Sequence, residues 1–151
     1  MGELQVEVFK GRNVPVAPLF IRQVIGRAAQ VPEVAARLPE GSSTLAVRLT
    51  SDREMERLNR RYAGDPHSTD VLSFAGEGAH AGDVAVSWQA VVRQATQYGH
   101  SELVEVALLS VHGLLHVLGW DHATDAEHAE MTRLTTEALA LSGLEVAPGR
   151  L

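Results

Sequence analysis

Between Val111 and His122 the chain reads VHGLLHVLGWDH, which puts three of its seven histidines, His112, His116 and His122, into eleven residues around an apolar run. On an α-helix, residues four apart differ by roughly 40° in direction and about 6 Å in height, so His112 and His116 present adjacent rings. If the helix simply continued, His122 would lie about 240° further round from His116 and ~9 Å along the axis, out of reach. Gly119 removes that obstacle, because glycine readily takes the left-handed conformation that ends a helix and lets the chain double back. The spacing therefore predicts a cluster of three imidazoles, a donor set suited to one Zn²⁺ per chain.

Three neutral imidazoles leave a fourth position on the ion for water, whose pKa falls there to about 7. They also leave the full charge of the cation in place, which suits an anionic substrate such as a phosphodiester. Two blander readings compete. The histidines are core residues that merely hydrogen-bond, or they hold a structural zinc closed by a fourth ligand, for which Asp121 is nearest in sequence. The spacing also fits the metzincin protease pattern HExxHxxGxxH, but Gly113 stands where that pattern has its general-base glutamate. Peptide hydrolysis is accordingly not the first expectation.

The helix that must carry the first two histidines, residues 102–118, is apolar nearly all round, which predicts a buried central helix. Ser101 opens it, with Glu102 and Glu105 near its positive end, where carboxylates are favoured. Alternation predicts strands over 3–9 and 43–50, and two short strands over 70–75 and 83–87 joined by a Gly- and Ala-rich connection. A helical stretch follows Pro18, and Pro32, Pro39 and Gly41 punctuate its exit. Capping boxes at Ser51/Glu54 and Thr124/Glu127 begin helices that reach about Tyr62 and the neighbourhood of Gly143. Ser87 caps a helix from Trp88 to about Tyr98, and residues 63–69 are a turn by composition. The expectation is an α+β fold over 1–151: one domain, a small mixed four-stranded sheet and about five helices.

The chain has 151 residues, a net charge of −6 and no cysteine, so thiolate metal sites and disulfides are excluded. Neither a secretory leader nor a stretch of the ~20 apolar residues needed to span a bilayer is present, which predicts a cytoplasmic protein without a membrane partner. The acidic balance argues against a general nucleic-acid coat protein. Basic residues are nonetheless clustered, with Arg48, Arg53, Arg57, Arg60 and Arg61 in one short stretch.

The segment HGLLHVLGWDH closely resembles the signature of the YbeY family of bacterial metal-dependent endoribonucleases. LNRRY (58–62), STDVLSFAGE (68–77), GDVAVS (82–87) and QYGHS (97–101) resemble further family blocks in the same order. The likeness runs from about Arg48 to Leu141. It implies a compact α+β fold, zinc on His112, His116 and His122, and hydrolysis of single-stranded RNA. The implied setting is maturation of ribosomal RNA ends and ribosome quality control, with the ribosome or small-subunit proteins as partners. One departure stands out: the family usually has an arginine after the tyrosine of the LN..Y block, where this chain has Ala63. Ser68 and Ala75 likewise replace common prolines. Either Arg60 or Arg61, a turn earlier, supplies the missing catalytic charge, or catalysis is weaker than in relatives.

Arg57, Arg60 and Arg61 share one helix face, which is either solvated or a contact for RNA phosphates. Tyr62 and Trp120 are candidates to stack on bases, Trp120 more readily as a wall of the metal pocket and Tyr62 as an edge of the core. Ser73, with Phe74, lies on a strand edge suited to guiding a substrate backbone. Asp70 reads as closing a turn in preference to a role at the metal, and Asp121, a catalytic candidate, as orienting His122 or the water. Surface or turn roles suffice for His67, His80 and His128, and His100 is a weak site candidate. A non-catalytic, zinc-stabilised assembly factor is the rival reading.

Overall fold

A computed structural model describes residues 2–63 (of Ala63 the backbone alone) and 69–151. His67 and Ser68 lie outside the described residues. Strand β1 (Glu3–Lys10) is followed by α1 (Pro18–Ala28), a single turn α2 (Pro32–Ala35) and β2 (Ser42–Thr50). Then come α3 (Asp52–Ala63), β3 (Val71–Ala75), β4 (His80–Ser87), α4 (Trp88–Tyr98), α5 (Glu102–Val117) and α6 (Asp125–Ala140). The sheet has the order β1-β2-β4-β3, parallel at β1/β2 and β2/β4 and antiparallel at β3/β4. This is the mixed four-stranded α+β arrangement that the alternating patterns predict, with six helices among the described residues rather than about five.

Two boundaries differ from the sequence reading, each for a local reason. Pro32 begins α2 instead of ending a helix, since proline lacks the N–H that the first helical position leaves unbonded anyway. Strand β4 starts at His80 rather than Asp83 because the small residues there are pinned by a neighbour. His80 pairs with Thr44 of β2, and Thr44 Oγ1 lies 2.8 Å from His80 Nδ1.

Leu45, Val47 and Leu49 of β2 and Val84 and Val86 of β4 are buried on the sheet face that α1 and α5 cover. Val106, Ala107, Leu108, Leu109, Val111, Leu114 and Leu115 bury α5 between that sheet and the other helices. Its packing is tightest at Gly113. A Cβ there would overlap Val84 Cγ1 of β4 and sit 3.0 Å from Cγ2. Position 113 thus has no room for any side chain, which physically excludes the glutamate of the protease pattern. Gly113→Ala should cost about 1–3 kcal/mol by forcing helix and strand apart, a loss that urea denaturation reads directly.

Candidate metal centre

The helix carrying the cluster is capped at both ends by its own sequence. Ser101 Oγ accepts the Val104 N–H at 3.1 Å, and the last turn closes through Gly119, whose φ is +100°. The Gly119 N–H donates to His116 O at 3.0 Å and the Trp120 N–H reaches back to Leu115 O at 3.0 Å. This paired closure turns the chain sharply and carries His122 back under the last turn. Asp121 Oδ1 accepts the His122 N–H at 2.7 Å and so fixes the backbone that presents the third imidazole.

The three rings meet. His112 Nε2 and His116 Nε2 are 3.1 Å apart, and one ring nitrogen from each of His112, His116 and His122 lies within 4.8 Å of the others. The ring centroids are separated by 4.6, 5.6 and 5.0 Å. Nitrogens on a tetrahedral zinc, bound at about 2.0–2.1 Å, stand roughly 3.3 Å from one another, so the arrangement fits such an ion with small side-chain adjustment. Among the described residues no carboxylate joins the group, so Asp121 does not close it as a fourth ligand. A group of three donors facing open space is the pattern of a site that keeps one position for a reactant.

Burial is the main reason that the His112 pKa falls to about 4, with His116 and His122 adding to the effect. His116 is lowered too, first by burial and then by His122. Both are therefore neutral at ordinary pH, the state in which imidazole binds a metal. The folded pKa of His112 lies below its unfolded value of 6.5, so the unfolded chain takes up the proton first. The contribution to stability is complete above pH 6.5 and fades as the pH falls towards 4. Chelator-treated protein should lose about 2–3 kcal/mol between pH 7 and pH 4 from this group, measurable as a falling urea midpoint at constant slope.

The histidines open onto a cleft of about 650 Å³ lined also by Thr69, Asp70, Ser73, His128 and Arg150. Ser73 Oγ donates to Gly113 O at 3.0 Å, tying the edge strand to the ligand helix. Asp70 accepts at its carbonyl from the Ser87 N–H (2.9 Å) and at Oδ2 from Gln94 Nε2 (3.1 Å), so its side chain ties the start of β3 to α4 rather than closing a turn.

Other sequence candidates stand elsewhere. Trp120 is buried, with the Arg37 guanidinium 3.7 Å above its ring and its Nε1 donating to Glu130 Oε1 at 3.1 Å. No face is left on which a base could stack, and the indole is a core residue rather than a wall of the cleft. Arg57 pairs with Glu54 (2.6 Å) and Arg60 with Glu56 (3.2 Å) on the exposed surface of α3. Neither these two nor Arg61 lines the cleft. Tyr62 is 59 % exposed, edge-on to Phe74 at 5.5 Å, in a separate hollow with Phe9 and Arg48. His100 belongs to the core, not to the metal group. Its Nδ1 accepts the Ala147 N–H at 3.1 Å, so Nε2 carries the proton and donates to Glu105 Oε1 at 2.7 Å.

Arg150 was not singled out by its sequence context. The signal that leads to it is Glu105, which, unlike the exposed Glu102 beside it, is fully buried on a largely apolar helix.

Residues 14–143 match the family model described as Endoribonuclease YbeY. The chain belongs to the YbeY endoribonuclease family. It is 41 % identical over 135 residues to the Endoribonuclease YbeY of Chloroflexus aurantiacus, an alignment covering 81 % of this chain and 87 % of that protein. The family protein of Roseiflexus castenholzii is 33 % identical over 153 residues, covering 93 % of each. The solution structure of TM1509 from Thermotoga maritima shares the fold with a TM-score of 0.60 at 19 % identity, across 99 % of this chain and 100 % of that one.

Proposed function

We propose that this YbeY-family chain is a zinc-dependent endoribonuclease that hydrolyses phosphodiesters of single-stranded RNA. The observation that carries the reading is the three-imidazole group, open on its fourth side towards the cleft, in which burial keeps His112 and His116 neutral. His112, His116 and His122 would hold one Zn²⁺, which when bound supplies a Lewis acid for the phosphoryl oxygens and lowers the pKa of water to about 7. The protein's own contribution is geometric. Asp121 steadies the third ligand from outside the group, and Ser73 locks the cleft rim to the ligand helix.

Arg57, Arg60 and Arg61 then act outside the cleft, on backbone phosphates of an extended RNA, and exposed Tyr62 offers a face for one base. With no arginine of α3 in the cleft, the charge that the family places after the tyrosine is not replaced there by Arg60 or Arg61. The proposed cellular task is maturation of the 16S ribosomal RNA 3′ end and ribosome quality control in the cytoplasm, with small-subunit proteins as partners. The resemblance of the sequence blocks supports that setting. Among the described residues no helix is long and apolar enough to cross a membrane.

The test sets three substrates beside one another with zinc-loaded protein: a single-stranded RNA spanning a 16S 3′ end, the same RNA annealed to its complement, and casein. Cutting of the single strand alone, leaving 3′-hydroxyl or simple phosphate ends, is expected. A 2′,3′-cyclic phosphate would replace water by the 2′-hydroxyl as nucleophile. Cleavage of casein with RNA left intact would overturn the assignment.

A further inference from the structure

The last residues of the chain fold back across the amino-terminal half of α5 and put a cation into the metal cleft. Arg150 Nε donates to Glu105 Oε1 at 3.0 Å and Nη2 donates to Glu105 Oε2 at 2.7 Å. Nη2 also reaches Gln94 Oε1 at 3.5 Å, and the guanidinium carbon lies 4.7 Å from the Tyr98 ring centroid. Glu105 is fully buried and also accepts from His100. One edge of the guanidinium is therefore clamped in its plane by a paired carboxylate and an aromatic face.

Nη1 is different. Among the described residues it meets no acceptor, although the Arg150 side chain is only 13 % exposed and lines the same cleft as His112, His116 and His122. Among the described residues it is not one of the buried atoms left without a partner, so it faces the open cleft, where water or a ligand oxygen can accept from it. The neighbouring Asp70 carboxylate, held by Gln94, marks the other side of this part of the cleft. A planar fork fixed at two nitrogens and offering a third suits one non-bridging oxygen of a phosphodiester.

We propose that Arg150 is the phosphate-binding residue of the metal cleft. On this assignment Glu105 and His100 are positioning residues that aim the guanidinium, and Nη1 donates to a backbone phosphate of the RNA. The inference rests on the endoribonuclease reading of the same cleft. It also supplies a cation at the reacting site in a chain whose α3 arginines lie elsewhere.

Arg150→Gln alone strands the buried Glu105 charge and lowers the melting temperature, so the decisive protein is the double variant Arg150→Gln, Glu105→Gln. It removes cation and anion together and keeps an acceptor for His100. The probe is a fluorescein-labelled, single-stranded phosphorothioate RNA dodecamer, which retains its backbone charge and resists cleavage. Anisotropy is measured with full-length zinc-loaded protein from low to moderate salt. The double variant should recover the melting temperature lost by the single one, yet bind about tenfold more weakly. Its slope of log affinity against log salt should be shallower by about 0.7, the value of one single-strand phosphate contact. Recovery of both stability and RNA affinity, with an unchanged slope, would make Arg150 only the counterion of Glu105 and overturn the proposal while leaving the endoribonuclease reading intact. A wild type that binds no RNA would overturn both.

Discussion

His116→Ala protein, purified as the wild type is, should contain less than about a tenth of an equivalent of zinc and cut single-stranded RNA roughly a thousandfold more slowly. The size of the loss follows from the site's construction. Three imidazoles are the whole converging donor set among the described residues, and no carboxylate converges with them to take the place of a missing ring. His116 also stands at the turn where the other two converge, 3.1 Å from His112 between ring nitrogens and 5.0 Å from His122 between centroids. Removing it should leave the fold in place, because the helix is held by Leu114 and Leu115 on its buried side. The far-ultraviolet circular dichroism should thus match the wild type while metal content and cleavage fall together. Equal cleavage by both proteins would instead point to a contaminating nuclease or to chemistry outside this cluster.

Glu105→Ala should be the most destabilising single substitution, costing about 3–5 kcal/mol. The carboxylate is completely buried, and its loss leaves the Arg150 guanidinium, with only Gln94 at 3.5 Å, and the His100 Nε2–H without their main acceptor. For a chain of this size that corresponds to a fall in melting temperature of roughly 10 °C, read by differential scanning calorimetry on the metal-free protein. Glu105→Gln, which keeps an acceptor for His100 but no charge for Arg150, should fall between the two. A melting temperature unchanged in Glu105→Ala would mean that the returning C-terminal segment contributes nothing to the fold.

These two sites differ in how far the sequence revealed them. The histidine cluster is local: a helical repeat of four and one glycine stop fix it within eleven residues, and the φ of +100° at Gly119 is the turn that the spacing requires. The strands and long helices were legible for the same reason, since alternation, helical periodicity and caps such as Ser101 and Thr124 act over a few residues. The cation of the cleft is not local. Arg150 reaches it only because residues after α6 return to Glu105, 45 positions earlier, and nothing in the tail's own pattern announces that.

Proximity in sequence also misled. Trp120 lies two residues from His122, yet the tight helix ending turns its indole into the core beneath Arg37. Arg60 and Arg61 stand beside the tyrosine block in sequence, yet neither lines the cleft that holds the histidines. Gly113 was informative in the other direction. Its lack of a side chain, which argued against a protease, is enforced by Val84 across the helix–sheet contact.

The central claim is that the metal held by the three histidines is what makes this chain cut RNA. The most direct measurement is the initial rate of cleavage of one single-stranded RNA by protein carrying graded zinc, from none to one equivalent per chain. Metal content is determined on the same samples. A rate that rises in proportion to occupancy, reaches its plateau at one equivalent and vanishes with a chelator is the predicted result. A rate independent of occupancy would contradict it.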